Sequence, residues 1–349
     1  MLEEINCAQI GDLNEEAMTA AQERQNSLTK PPGSLGVLEE VAIQIAGIMG
    51  TPVPAISGKA VLVMAGDHGV VEEGVSVWPS EVTVQMLQNF IDGGAAINVL
   101  ARHAGAEVVL VDVGVKGQLD LPDVCNCKVS SGTANMTKGP AMTKEEAAKA
   151  IQVGFSQAQA VIDRGVNLIA TGDMGIGNTT PSSAILAAFS GMPVAKVIGR
   201  GTGLNDEGLQ KKIVAVKKAL SVNKPDPRDA LDVLCKVGGL EIAAIAGVIL
   251  GAAAGRVPVL IDGFISGAGA LVAGKLVPKA KDFMLASHLS EEPGHRYMLE
   301  LLDLKPILQM RMRLGEGTGA VLAMPVVEAA CKIQAEMATF QSAGVAEKL

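Results

Sequence analysis

Short aliphatic runs recur along the chain at residues 60–65, 108–113, 168–170, 194–198, 257–261 and 283–286, each rich in Val, Ile and Leu. Little polar alternation breaks them, which is the pattern of strands buried on both faces. Longer segments with helical spacing lie between, at 81–104, 144–164, 206–220 and 239–254. Strand, helix and strand in repetition predict a parallel sheet wrapped by helices. The first 55 residues carry helical periodicity without a strand, broken by Lys30-Pro31-Pro32-Gly33-Ser34-Leu35-Gly36, and residues 326–347 are again helical. The simplest arrangement joins 1–55 and 326–349 as a small helical domain beside an α/β domain of 56–325.

Composition sharpens this picture. Of 349 residues, 48% are hydrophobic and 19% charged, enough for a large core and too apolar for disorder. A net charge of -8 with no basic stripe excludes general affinity for nucleic acid. The basic cluster Lys211, Lys212, Lys217 and Lys218 has helical spacing and reads as a solvated face, with phosphate binding by one of them left open. The chain opens Met1-Leu2-Glu3-Glu4, unlike a signal peptide, and the apolar stretch 242–254 is too short for a membrane span. A soluble, cytoplasmic protein is expected. Cysteines stand at 7, 125, 127, 235 and 331. Cys125-Asn126-Cys127 fits neither a redox CxxC nor a zinc knuckle, so reduced structural thiols are expected.

Ligands of open parallel sheets sit where the strands end. There the sequence places Gly66-Asp67-His68-Gly69, Gly114, the run Thr171-Gly172-Asp173-Met174-Gly175-Ile176-Gly177-Asn178-Thr179-Thr180, Gly199-Arg200-Gly201-Thr202-Gly203, Asp262-Gly263-Phe264 and Ser287-His288. Glycine admits close backbone approach and its polar neighbours supply hydrogen bonds. The run 171–180 lies between a strand and a helix near Ser182, a setting for anion binding by backbone N–H groups and Thr hydroxyls. A capped turn, with Asn178 and Thr179 as caps, is its plainer reading. The segment 199–203 fails the spacing of a dinucleotide fingerprint and serves better as a second pocket loop.

In Arg313-Leu314-Gly315-Glu316-Gly317-Thr318-Gly319-Ala320 one carboxylate stands among glycines, before an apolar helix from Val321. It is either an ordinary solvated acid or, if held in an apolar pocket, a base with a raised pKa. Of the histidines, His68 and His288 follow strands and suit a pocket wall, His103 is helical, and none has metal-binding spacing.

These loops resemble a known family. Lys30–Gly36, Gly66–Gly69, Gly172–Thr180, Lys236-Val237-Gly238-Gly239, Val259–Phe264 and Met312–Ala320 occur in order and in register with the nicotinate-nucleotide:dimethylbenzimidazole phosphoribosyltransferases, over about residues 17–338. The resemblance implies a doubly wound α/β domain with a largely parallel six-stranded sheet, a small domain from both termini, and homodimers. It implies transfer of ribose 5-phosphate from nicotinate mononucleotide to the lower-ligand base of a cobamide, without metal or cofactor. Glu316 falls on the family's catalytic base. Asp173, Gly175, Gly177, Asn178, Thr179, Thr180, Gly201, Gly203, Lys212, Asp262 and Gly315 fall on its nucleotide- and phosphate-binding positions.

Two departures stand out. Asp173 replaces an expected Glu and is one methylene shorter, and Trp78 stands where relatives carry a smaller residue or Tyr. With Met86, Met174 and Leu314, Trp78 is expected to wall the acceptor. A dimethylbenzimidazole-type base is the leading acceptor. Phenol or p-cresol, with the chain as one half of a heterodimer, is the alternative, and a non-catalytic nucleotide-binding paralogue is another. A dinucleotide oxidoreductase ranks last.

Overall fold

The structure is a computed structural model that describes residues 10–117 and 119–346. Cys7, the opening Met1-Leu2-Glu3-Glu4 and Glu347 lie outside the described residues. Two helices come first, α1 (Glu15–Ser27) and α2 (Val37–Met49), followed by β1 (Lys59–Gly66), α3 (Glu81–Ile91), α4 (Ala96–Ala104), β2 (Glu107–Gly114) and β3 (Val124–Asn126). The middle of the chain folds as α5 (Lys144–Asp163), β4 (Leu168–Met174), α6 (Thr179–Ser190), α7 (Val194–Val197), α8 (Asp206–Asn223), α9 (Ala230–Val237) and α10 (Leu240–Ala254). Then come β5 (Val259–Ile261), α11 (Phe264–Leu276), β6 (Met284–Ala286), α12 (His295–Leu302), α13 (Thr318–Glu336) and the short α14 (Phe340–Ala343).

The six strands make one sheet in the order β3-β2-β1-β4-β5-β6, every pair parallel. This is the expected doubly wound α/β sheet, and its order reverses between β1 and β4. Successive strand residues point to opposite faces. Ala60, Leu62 and Met64 of β1 join one core with Ala147 and Ile151 of α5, Ile245 of α10 and Ala268 of α11. Val61, Val63 and Ala65 join the other with Ile45 of α2, Ile97 of α4 and Val327 of α13. Both faces are dry, which is why the strands read as unbroken aliphatic runs.

One strand expectation is corrected, and one strand was not expected. Residues 194–198 are not a strand: Val194 and Val197, three apart, bury one face of the helical turn α7, which starts just after Pro193. The sixth strand is instead β3, which pairs only with Leu110, Val111 and Asp112 at the sheet edge. Its Val-Cys-Asn sequence carries no strand pattern, because a three-residue edge strand needs only backbone bonds to one neighbour. Cys125 thus sits on the edge strand, and the four described cysteines are free.

Other boundaries also shift. β4 continues through Thr171, Gly172, Asp173 and Met174, all buried, so the loop before α6 shrinks to 175–178. The expected helix 81–104 is two helices, broken at Asp92-Gly93-Gly94, where Gly93 has φ +73°. α13 starts at Thr318 and runs unbroken through Pro325.

The two ends of the described chain meet. Leu28 and Thr339 form an antiparallel bridge, and Gln25 Nε2 donates to Gln334 Oε1 at 2.7 Å in a buried pair. Behind the sheet, α5 and α10 cross at backbone contact. A Cβ at Gly154 would stand 1.8 Å from the Ala244 carbonyl oxygen, and one at Gly247 1.9 Å from that of Ile151. Among the described residues no helix is long and apolar enough to cross a membrane.

Candidate functional site

A cleft of about 430 Å³ opens at the carboxyl ends of β4, β5 and β6. Glu316 reaches it from the turn before α13, with only 7% of the residue exposed. Three successive left-handed residues shape that turn: Gly315 at φ +84°, Glu316 at +63° and Gly317 at +87°. A left-handed Glu is strained by its Cβ and persists only where its surroundings over-determine it. Here Gly317 N–H and Ala320 N–H donate to the Asp262 carboxylate at 3.3 and 3.0 Å, and Thr318 Oγ1 donates to the Gly315 carbonyl at 2.8 Å.

The carboxyl of Glu316 is held above the ordinary glutamate range, chiefly by burial. A 3.4 Å hydrogen bond from Ile97 N–H, in the first turn of α4, works the other way, and the charge of Asp262 adds to the rise. The group is a carboxylate that gains from taking a proton, placed on a cleft wall. That is an environment suited to a general base, and the burial rules out an ordinary solvated acid.

Two further acids support it from beneath. Asp173, at the end of β4, is pushed well above the usual carboxylate range by burial, with Asp262, Glu241 and Glu316 adding to the effect. Its Oδ2 accepts from Asn178 Nδ2 at 2.9 Å, while Oδ1 is buried without a partner. Asp262 is raised by burial too, countered first by His288. Asp262, expected among the substrate-binding residues, does not line the cleft; both its oxygens accept from the backbone of the Glu316 turn. His288 does line the cleft. His68 does not; its Nε2 meets Glu241 Oε1 at 2.8 Å in a fully buried pair.

The opposite end of the cleft is made of small residues and hydroxyls. Gly175, Ile176, Asn178 and Thr179 border it, as do Gly201 and Thr202. Gly175 is there because a Cβ would collide with the Gly66 carbonyl at 2.1 Å, so β1 and β4 can end side by side. The amide of Asn178 goes to Asp173 and no side chain caps α6, which leaves the helix start free of the expected cap. Lys212 is fully buried; its ammonium donates to Thr179 Oγ1 at 2.7 Å and to the Gly199 carbonyl at 3.2 Å. Burial lowers its pKa to about 8. The solvated-face reading therefore holds for Lys211, Lys217 and Lys218 but not for Lys212. Thr180 is buried with its hydroxyl unpartnered, and neither it nor Gly203 borders the cleft.

The remaining wall is apolar. Trp78, Met86, Met174 and Leu314 border the cleft, with Val82, Ile176, Phe264 and Ile265 beside them. Trp78 is 51% exposed and stands at the rim. Sequence reasoning missed Arg313, whose Nη1 donates to the Gly201 carbonyl at 3.0 Å, and Ser290 and Glu292 beyond β6. Arg313 lay in a motif whose glycines and acid drew the attention. Ser290 and Glu292 follow Ser287-His288 within four residues, and that proximity was the available signal.

Known proteins with this arrangement are close at hand. A sequence profile described as phosphoribosyltransferase matches residues 10–345. The nicotinate-nucleotide–dimethylbenzimidazole phosphoribosyltransferase of Chloroflexus aggregans is 58% identical over 340 residues, covering 97% of this chain and 96% of the relative. The enzyme of the same name from Desulforamulus reducens is 59% identical over 329 residues, 94% of each. Among solved structures, CobT from Thermus thermophilus superposes with a TM-score of 0.92 at 50% identity, covering 95% of this chain and all of that one.

Proposed function

Because the chain belongs to the nicotinate-nucleotide–dimethylbenzimidazole phosphoribosyltransferase family, we propose that it moves ribose 5-phosphate from nicotinate mononucleotide to 5,6-dimethylbenzimidazole, with Glu316 as the base. It is a pentosyltransferase of cobamide lower-ligand activation. The observation that carries the site assignment is the left-handed Glu316 turn, which places a buried carboxyl with a raised pKa on the cleft wall.

The chemistry asks little of the protein. Nicotinate leaves as a neutral ring nitrogen from a pyridinium, so its departure needs no proton. The acceptor's ring nitrogen attacks the anomeric carbon from the opposite face, turning a β bond into an α bond. Attack leaves a proton to be removed, and Glu316 takes it, a contribution of about 10²–10⁴-fold in rate. Holding two ring systems together in a dry cleft supplies much of the rest.

Gly175, Gly177, Asn178, Thr179, Gly201 and Lys212 form the phosphate end in this reading, supported by the uncapped start of α6 and the buried ammonium beside Thr179. Thr180 and Gly203 act behind it, shaping the two loops. Asp173 is held well above the usual carboxylate range by burial, and Asp262 anchors the turn that carries the base. Gly315 passes close to Asp173, its Cβ position 3.1 Å from Oδ2. Trp78, Met86, Met174 and Leu314 receive the acceptor ring.

We further infer a homodimer in the cytoplasm, and a division of the chain into 1–55 with 326–349 as a helical unit against 56–325. The deciding experiment offers nicotinate mononucleotide with and without dimethylbenzimidazole and follows nicotinate. Release should require the acceptor; equal release without it would make the protein a hydrolase. Competition among dimethylbenzimidazole, phenol and p-cresol then ranks the acceptors.

A further inference from the structure

Glu292 lines the cleft, yet nothing in the transfer chemistry uses it. Only 6% of the residue is exposed, and its Oε2 is buried with no hydrogen-bond partner among the described residues. The carboxylate lies against the bare Cα of Gly199, where a Cβ would stand 2.0 Å from Oε2. Lys212 attracts it from a distance but spends its hydrogen bonds on Thr179 and on the Gly199 carbonyl. A buried carboxylate without a partner is strongly disfavoured, so such a group on a cleft wall points to a ligand that completes it.

Elimination identifies the ligand group. Nicotinate mononucleotide carries a phosphate and a ring carboxylate, both repelled by Glu292, and its pyridinium has no N–H. Its hydrogen-bond donors are the two ribose hydroxyls. Ribose C5 bears the phosphate, so with the phosphate beside Thr179 and Gly201 the sugar falls next to the side chain packed on Gly199. We propose that Glu292 binds the ribose of the donor, accepting hydrogen bonds from its 2′ and 3′ hydroxyls. This rests on the donor assignment above. A carboxylate swivels easily about its last bond, so both oxygens can turn to the sugar. As the bond to nicotinate breaks, positive charge grows on the ring and its hydroxyls become better donors, so the contact tightens in the transition state.

The test compares wild type, Glu292→Ala and Glu292→Gln on nicotinate mononucleotide and on its 2′-deoxy and 3′-deoxy analogues, with dimethylbenzimidazole saturating. Wild type should prefer the ribose donor over at least one analogue by about tenfold or more in kcat/KM. In Glu292→Ala that preference should collapse, because the ribose donor slows while the deoxy donor changes little. Glu292→Gln, which keeps the shape and one acceptor, should fall between and decides the matter if the alanine variant does not fold. Equal loss on all three donors, with the preference intact, would overturn the proposal in favour of an ion pair with the pyridinium or support of Lys212. Acceptor-dependent release by the wild type keeps the donor assignment standing in that event; its absence would remove both.

Discussion

Gly172 and Glu316 meet backbone to backbone: a Cβ on Gly172 would stand 2.7 Å from the Glu316 carbonyl oxygen and 3.0 Å from its carbonyl carbon. β4 thus braces the turn that carries Glu316. Gly172→Ala should push that turn outward, costing about 1–3 kcal/mol in stability and roughly 100-fold in kcat. Thermal melting and steady-state nicotinate release measure the two. A normal rate in a well-folded variant would show that this contact does not set the carboxylate's position.

Glu316→Gln preserves shape and removes the base. Turnover should fall by about 10²–10⁴-fold, while calorimetric titration with nicotinate mononucleotide gives the wild-type affinity. Near-normal turnover would take Glu316 out of the proton transfer.

The pH dependence has two arms of known sign. Glu316 works ionised and its carboxyl is held above the ordinary range, so kcat/KM falls with acidity at a pH above that of an exposed glutamate. Asp262 adds to that rise, so Asp262→Asn should move the acid arm to lower pH. At the other end Lys212 is charged below about 8 and neutral above it. Donor capture should weaken there as pH rises, and Lys212→Arg should shift this arm upward. Profiles of kcat/KM, which report the free enzyme, test both.

Trp78→Ala removes a half-exposed indole from the acceptor rim. The KM for dimethylbenzimidazole should rise by about 2- to 12-fold, corresponding to about 0.5–1.5 kcal/mol of aromatic contact, with the KM for the nucleotide unchanged. An altered nucleotide KM and a constant acceptor KM would place Trp78 at the other end of the cleft.

The interior strands were legible because burial on two faces writes an aliphatic run into the sequence, as in β1 and β2. β3 was not legible, since an edge strand held by backbone bonds leaves Val124, Cys125 and Asn126 free of pattern. Val194 and Val197 misled for the converse reason: two valines three apart satisfy one helical turn and imitate a strand. At the site, loop glycines around Glu316 and Gly175 announced themselves through composition. Glu292 did not, because its meaning lies in the contact with Gly199 across a gap of 93 residues in sequence, taking 292 less 199. Lys212 looked like one of four surface lysines, and only packing separates it from them.

The crossing of α5 over α10 has a mechanical consequence. Two helices already touching through Gly154 and Gly247 cannot be squeezed closer, and sliding one along the other would drive carbonyls into Cα atoms. The rear of the molecule is therefore an anvil of fixed thickness. Whatever gives way to admit two ring systems and release one must be in front, in the short turns that carry Trp78, Gly201 and Leu314.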